Sequence, residues 1–105
     1  MANFVLVYKG GGAMPQTDAE REQVMAQWGQ WYGQMGEAVV DGGNPFGASA
    51  SVSPDGNVKD GAPSGLTGYT IVKADSLPAA AKMAKGCPIL SGGGTVEVYE
   101  TFQVM

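Results

Sequence analysis

The sequence predicts an α+β domain whose elements follow the order βαββαβ. Three observations lead to this prediction. Glycine (17 residues) and proline (six) of the 105 residues are bunched, so they divide the chain into elements. Between the bunches, strand-like stretches of β-branched and aromatic residues are interspersed with stretches of helical spacing. Apolar residues make up 44% of the chain, which suits one hydrophobic core in a single domain over residues 1–105.

The first predicted strand runs from Asn3 to Lys9 and ends at three glycines, residues 10–12. Its apolar residues alternate between two faces, one with Phe4, Leu6 and Tyr8 and the other with Val5 and Val7. Since both faces are apolar, we expect this strand to be covered on both sides.

The first predicted helix begins at Thr17, which forms a capping box with Glu20, and ends at Gly36. Gly29 and Gly33 lie inside this helix, where each costs about 1 kcal/mol relative to alanine. We interpret them as close packing positions under the two tryptophans. The apolar side chains with helical spacing are Val24, Met25, Trp28, Trp31, Tyr32 and Met35.

The later elements follow from the same signals. Residues 38–43 are ambiguous between a short strand and a turn. A second strand is predicted over Gly47–Ser53, where small apolar residues alternate with serines, and a tight turn over residues 54–57. Residues 58–65 are predicted to be a polar loop. The remaining predictions are a third strand at Leu66–Ala74, a second helix capped by Asp75 and Ser76 that ends at Gly86, and a fourth strand at Thr95–Glu100.

Two split βαβ units of this kind form a ferredoxin-like antiparallel sheet with both helices on one face. The other face, which carries Val5 and Val7, then has no element of the chain to cover it. An apolar patch of that size marks an interaction site, and a two-fold partner that stacks its own sheet there is the simplest cover. We therefore predict a homodimer formed through this open sheet face.

The residue types that the chain lacks restrict its chemistry. It has no histidine, so Ser-His-Asp catalysis, Cys-His catalysis and imidazole ligation of metals are excluded. Its single cysteine, Cys87, excludes an intrachain disulfide and a multi-cysteine zinc site. We expect neither a metal site nor a cofactor.

Charge and hydropathy restrict the partners. Six Lys and Arg against ten Asp and Glu give a net charge of −4, so we expect no binding to nucleic acid or to an anionic membrane. The apolar run Phe4–Tyr8 is too short for a membrane span or a signal peptide. We expect a cytoplasmic protein whose partner is a small molecule or a second copy of the chain.

Three stretches of the chain resemble the YCII-related family, also called the DGPF-motif family. They are the opening strand, Lys59–Pro63 leading to Gly68–Ile71, and Ala74–Leu77 continuing through Gly86–Pro88 to Val96–Val98. The resemblance covers most of the chain and implies a dimeric α+β barrel. It aligns Asp60 with an aspartate that pairs with a histidine in some members, one branch of which eliminates halide from an aromatic ring. This chain has no histidine, and Ala62 separates Gly61 from Pro63 in the motif.

Five residues are candidates for a site. Asp60, expected in a loop, is the candidate catalytic residue, because its carboxylate could act as a base or orient a ligand. The candidate substrate-binding residues are Tyr8, Trp28, Trp31 and Tyr69, whose rings could stack on a flat ligand or hydrogen-bond to it. Core packing of the rings and a local turn hydrogen bond of the aspartate are the alternatives.

Two classes of function remain open. The absence of histidine favours a dimeric small-molecule-binding protein without catalysis. The alternative is a cofactor-free enzyme that performs elimination, isomerisation or proton transfer on a small cyclic or aromatic substrate, with Asp60 as its acid or base. A cavity lined by Asp60 and aromatic rings would favour the enzyme, whereas a filled interior would favour the binding protein.

Overall fold

A computed structural model describes residues 1–10 and 16–104 of the chain and has an α+β fold with a mostly antiparallel sheet. In chain order the elements are β1 (Ala2–Lys9), α1 (Asp18–Met35), β2 (Val39–Asp41), β3 (Ala50–Val52), β4 (Val58–Asp60), β5 (Leu66–Ala74), α2 (Leu77–Ala84) and β6 (Thr95–Glu100). The main sheet has the strand order β2-β5-β1-β6, and β3 pairs with β4 in a separate two-stranded sheet. This arrangement is consistent with a ferredoxin-like class.

The long elements lie where the sequence predicts them. The third and fourth predicted strands match β5 and β6 at both ends, and β1 begins one residue before the prediction. Thr17 caps α1 by accepting a hydrogen bond from the Glu20 amide at 3.1 Å. The Glu20 carboxylate accepts from the amide of Gln16 at 2.9 Å, one residue before the cap. Two glycines of the run 10–12 lie outside the described residues.

The middle of the chain differs from the prediction. The predicted second strand, Gly47–Ser53, is shortened to Ala50–Val52 and lies outside the main sheet. The fourth strand of that sheet is instead β2, in the ambiguous segment, where Val39 pairs with Val72. The expected polar loop contains β4, because the turn at residues 54–57 folds Val58 back against Val52.

The core lies between one face of the main sheet and the two helices. Phe4 and Leu6 of β1 and Val72 of β5 are fully buried on this face. Trp31 of α1 and Ala80 of α2 pack against them in the same buried cluster. Removing the larger apolar side chains from water stabilises the fold by roughly 2 kcal/mol each.

The opposite face of the main sheet, here called the open face, carries Val5, Val7, Tyr69, Ile71 and Tyr99. In register, Val5 pairs with Ile71 and with Tyr99, and Val7 pairs with Tyr69. Most of these side chains are half-buried against their neighbours, but Tyr99 is 55% exposed. The described helices pack on the other side of the sheet, so the helix layer leaves the open face uncovered.

The described chain is thin for its width, and its core consists of one face of the main sheet packed against a single layer of helices. Its extents are 45 × 38 × 19 Å, and the radius of gyration of its Cα atoms is 15.3 Å. A compact domain of this length has a radius of gyration of about 13 Å. Neither helix of the described chain is long and apolar enough to cross a membrane.

Candidate functional site

Four aromatic rings pack together between α1 and the main sheet. The Tyr8 ring meets the Trp28 ring edge-on with a centroid distance of 5.3 Å, and Trp28 meets Trp31 edge-on at 5.6 Å. Tyr32 lies 5.4 Å from Trp31. Edge-on contacts at these distances are favourable for aromatic pairs. The rings of three candidate residues, Tyr8, Trp28 and Trp31, therefore fill space with each other.

A chain of hydroxyl groups lies beside these rings. Thr70 is fully buried and donates to the carbonyl oxygen of Gly42 at 3.1 Å. Because this bond uses the only hydroxyl proton of Thr70, the Tyr8 hydroxyl is the donor in its short bond to Thr70. Tyr32 also donates to the Gly42 carbonyl at 2.9 Å. The network thereby joins α1 and β1 to the end of β2.

Burial keeps the Tyr8 phenol and the Cys87 thiol neutral by raising the pKa of each group. It raises the pKa of the Tyr8 phenol far above its ordinary value of 10.0. Burial likewise raises the pKa of the Cys87 thiol to about 11. At neutral pH Tyr8 can donate a hydrogen bond but cannot act as a base, and Cys87 is not a thiolate nucleophile.

Asp60 does not belong to this group of rings. It is the last residue of β4, in the separate hairpin that β3 and β4 form. It lines a surface depression of about 570 Å³, here called the hairpin depression, together with Ser51, Asn57, Lys59 and Pro63. Its carboxylate is exposed, and no hydrogen bond within the described chain involves it. Instead, the turn after Asp60 is held by the Ser49 hydroxyl, which accepts from the Ala62 amide at 3.0 Å.

Tyr69 lies on the open face, on the other side of the sheet from Tyr8. Its ring stacks on Phe46 with a centroid distance of 5.7 Å and an interplanar angle of 21°. The segment that carries Phe46 is tied to β5 by the Phe46 amide, which donates to the Thr67 carbonyl at 2.9 Å. Tyr69 therefore faces the surface that the sequence predicts as the dimer interface.

The structure brings some of the candidates together and separates others. Tyr8, Trp28 and Trp31 belong to one cluster, Tyr69 lies on the opposite face of the sheet, and Asp60 lies on the hairpin. Among the residues that the structure describes, no aromatic side chain lines the hairpin depression. The catalytic and substrate-binding roles of these residues stay predictions.

Sequence reasoning missed several polar residues. In the sequence, Thr70 is one β-branched residue of a predicted strand. Its hydrogen bond to the Gly42 carbonyl joins distant parts of the chain, so no local pattern predicts it. A second set was detectable: Gln27, Gln30 and Gln34 follow helical spacing on α1 and line a depression with Lys85. The spacing of these three glutamines could have shown that they lie on the same side of the predicted helix.

The acidic side chains of the described residues do not cluster, and the single thiol, Cys87, is buried. Among residues 1–10 and 16–104, no three His, Cys, Asp or Glu side chains converge where they could hold a metal ion. At the hairpin turn, hydrogen bonds from the Ser53 hydroxyl and the Asn57 amide lower the pKa of Asp55. This carboxylate is therefore committed to the turn that sets the hairpin register.

Comparison of the chain with family models, with curated proteins and with solved structures found no match.

Proposed function

We propose that this protein is a homodimer that binds a small molecule and that binding, rather than catalysis, is its function. The observation that supports this proposal is that the candidate substrate-binding rings and the candidate catalytic residue lie apart. The aromatic rings fill the space between α1 and the sheet, whereas the one candidate acid or base, Asp60, lies on the separate hairpin. A catalyst for a ring-shaped substrate needs both groups within reach of the same molecule.

The composition of the open face supports the homodimer. Val5, Val7 and Ile71 form its centre, and Tyr69 and Tyr99 flank them. Lys73, in register with Asn3, and Lys9, in register with Thr95, lie toward its ends, and Glu97, in register with Val7, accepts a hydrogen bond from the Tyr99 hydroxyl at 3.0 Å. An apolar and aromatic centre with a polar border is the usual anatomy of a protein interface. A second copy is the partner proposed, because two identical sheets can cover each other.

Light scattering at micromolar concentration tests the dimer. We expect about twice the 10.8 kDa mass of one chain. The substitutions Ile71→Lys and Val5→Lys should each shift the mass toward one chain, since they bury an ammonium among apolar side chains in the interface. Met25→Lys is the matched control, because Met25 is 68% exposed on α1, away from the open face. A mass of one chain for the unmodified protein would refute the dimer.

A cofactor-free enzyme is the second candidate, and the exposure of the Asp60 carboxylate favours it. The carboxylate is exposed in a depression and is free of hydrogen bonds within the described chain, so it is available to a ligand. In this case Asp60 is the acid or base for elimination, isomerisation or proton transfer.

The substitution Asp60→Asn separates the two candidates for the hairpin depression. Ligand-observed NMR with a library of small cyclic and aromatic compounds identifies binders, whose conversion is then followed over time. If Asp60→Asn loses binding or conversion while the control Glu22→Gln keeps both, the hairpin depression is the ligand site and Asp60 takes part in it. Loss of conversion with binding retained would favour the enzyme. Conversion that survives in Asp60→Asn would exclude Asp60 as the acid or base.

A further inference from the structure

A second depression lies on the helix layer, between α1 and the turn that follows α2. It has a volume of about 510 Å³ and is here called the helix depression. Gln27, Gln30 and Gln34 line it from α1, and Lys85 lines it from the opposite side. Trp31, which borders it, belongs to the core on the helix side of the sheet, so the helix depression stays accessible when the open face is covered.

The polar side chains of the helix depression have unused hydrogen-bonding capacity. The three glutamines are spaced three and four residues apart, so they lie along one side of α1. Each carboxamide offers two N–H donors and one carbonyl acceptor. Within the part of the chain that the structure describes, no side-chain hydrogen bond involves them or the Lys85 ammonium. A bound molecule could therefore use these groups without breaking an existing bond.

The charge of the helix depression is opposite to that of the whole chain. Lys85 is the only charged residue among the described residues that line it, whereas the net charge of the protein is −4. Among the described residues, the one ion pair joins Arg21 to Asp18 at 3.6 Å and leaves Lys85 out. An ammonium with carboxamide donors on the facing helix suits a single carboxylate.

The rest of the lining is apolar. Trp31 borders the depression but is only 2% exposed, and its ring is fixed because the indole N–H donates to the Met83 carbonyl at 2.9 Å. Leu90 is 40% exposed at the same depression. Gly86 contributes no side chain, and a methyl group there would come within 3.1 Å of Trp31 Cδ1. The absence of a side chain at residue 86 keeps the apolar part open.

We propose that the helix depression binds a small monocarboxylate with an aromatic or hydrocarbon body. The Lys85 ammonium pairs with the carboxylate, the glutamine carboxamides hydrogen-bond to it, and the body lies against Leu90 and Pro88, beside the buried Trp31 ring. This site is distinct from the hairpin depression, and it requires neither the dimer nor Asp60.

Titration with benzoate and hexanoate, followed by the NMR signal of the Trp31 indole N–H, tests the proposal. We expect both carboxylates to shift the Trp31 signal in a saturable way and to shift the Trp28 signal less. Benzamide has the shape of benzoate without its charge, and we expect it to bind about tenfold more weakly or worse. The proposal is overturned if neither carboxylate shifts the Trp31 signal, or if benzamide binds as well as benzoate.

Lys85→Gln and Lys82→Gln form a matched pair of variants. Both remove one positive charge from an exposed lysine near the end of α2, but only Lys85 lines the helix depression. We expect Lys85→Gln to weaken benzoate binding about tenfold and Lys82→Gln to leave it nearly unchanged. Equal losses in both variants would show a long-range charge effect and refute the site. Because light scattering reports the dimer independently, failure here leaves the proposed homodimer standing.

Discussion

Gly43 joins β2 to the segment that carries Phe46, and its backbone has a φ of 75°. A side chain at this position would overlap the carbonyl oxygen of Tyr69 on the neighbouring strand. The Gly43 amide also donates to the Asp41 carboxylate at 2.9 Å, which fixes the turn. Both the backbone conformation and the close approach of β5 therefore require glycine.

We expect Gly43→Ala to lower the free energy of unfolding by more than about 2 kcal/mol, because the left-handed conformation and the overlap both oppose alanine. Gly56→Ala is the control: its φ is 88°, but nothing lies within 4 Å of the added carbon. The control should cost only about 1 kcal/mol, the conformational part. Urea unfolding measures both, and equal losses would show that the Tyr69 carbonyl moves aside.

At the scale of elements, α1 contains two glycines whose role the sequence does not explain. The interpretation that Gly29 and Gly33 pack closely under the tryptophans is wrong. Both are exposed, and a carbon added at either position would meet nothing within 4 Å. The helical spacing places Trp28 and Trp31 on the sheet side of α1, which leaves the two glycines on the solvent side.

We expect Gly29→Ala and Gly33→Ala each to raise the free energy of unfolding by about 1 kcal/mol, because alanine has the better helix propensity. Urea unfolding of the single and double variants measures the effect, and the two gains should add. Gly86→Ala provides the contrast, since its methyl group would press on Trp31 and should lower stability. A loss of stability in the α1 variants would show that this side of the helix is in contact with another surface.

The sequence predicts the long elements well because they carry strong local signals. β5 and β6 have continuous β-branched and aromatic patterns, and Thr17 and Ser76 both accept capping bonds from the expected amides. β2 is a three-residue strand whose membership in the sheet depends on β5, and β4 is defined only by its pairing with β3. Such pairings are non-local, so a pattern along the chain cannot reveal them.

The same limit applies to the candidate site. The helical spacing of the aromatic residues on α1 predicts that their rings lie together, and the structure packs Trp28 and Trp31 against Tyr8. Distances across elements are not contained in such a pattern. Helical spacing places Gln27, Gln30 and Gln34 on one side of α1, but it does not show that Lys85 faces them or that Asp60 lies on a hairpin.

At the scale of the whole molecule, the burial of a thiol and a phenol makes the protein less stable at alkaline pH. Burial raises the pKa of Cys87 from 9.0 to about 11, and burial also raises the pKa of Tyr8. At a pH between 9.0 and about 11, the unfolded chain has released the Cys87 thiol proton, whereas the folded chain keeps it. The folded state therefore binds more protons, so the free energy of unfolding falls as the pH rises.

We expect the free energy of unfolding to fall by about 1 kcal/mol between roughly pH 8 and pH 10 through Cys87. Urea unfolding at both values, followed by tryptophan fluorescence, measures the decrease. In Cys87→Ala the decrease should be smaller, because the thiol no longer titrates. An equal decrease in this variant would assign the pH dependence to other groups.

The hairpin of β3 and β4 makes this protein a scaffold on which a foreign peptide can be displayed. Its strands pair only with each other, and Val52 and Val58 are each 67% exposed beside the turn. None of the main-sheet pairing passes through residues 54–57, so a segment grafted between the two strands leaves that pairing intact. An epitope or a recognition loop carried at this tip would project from the domain without altering the core that holds it.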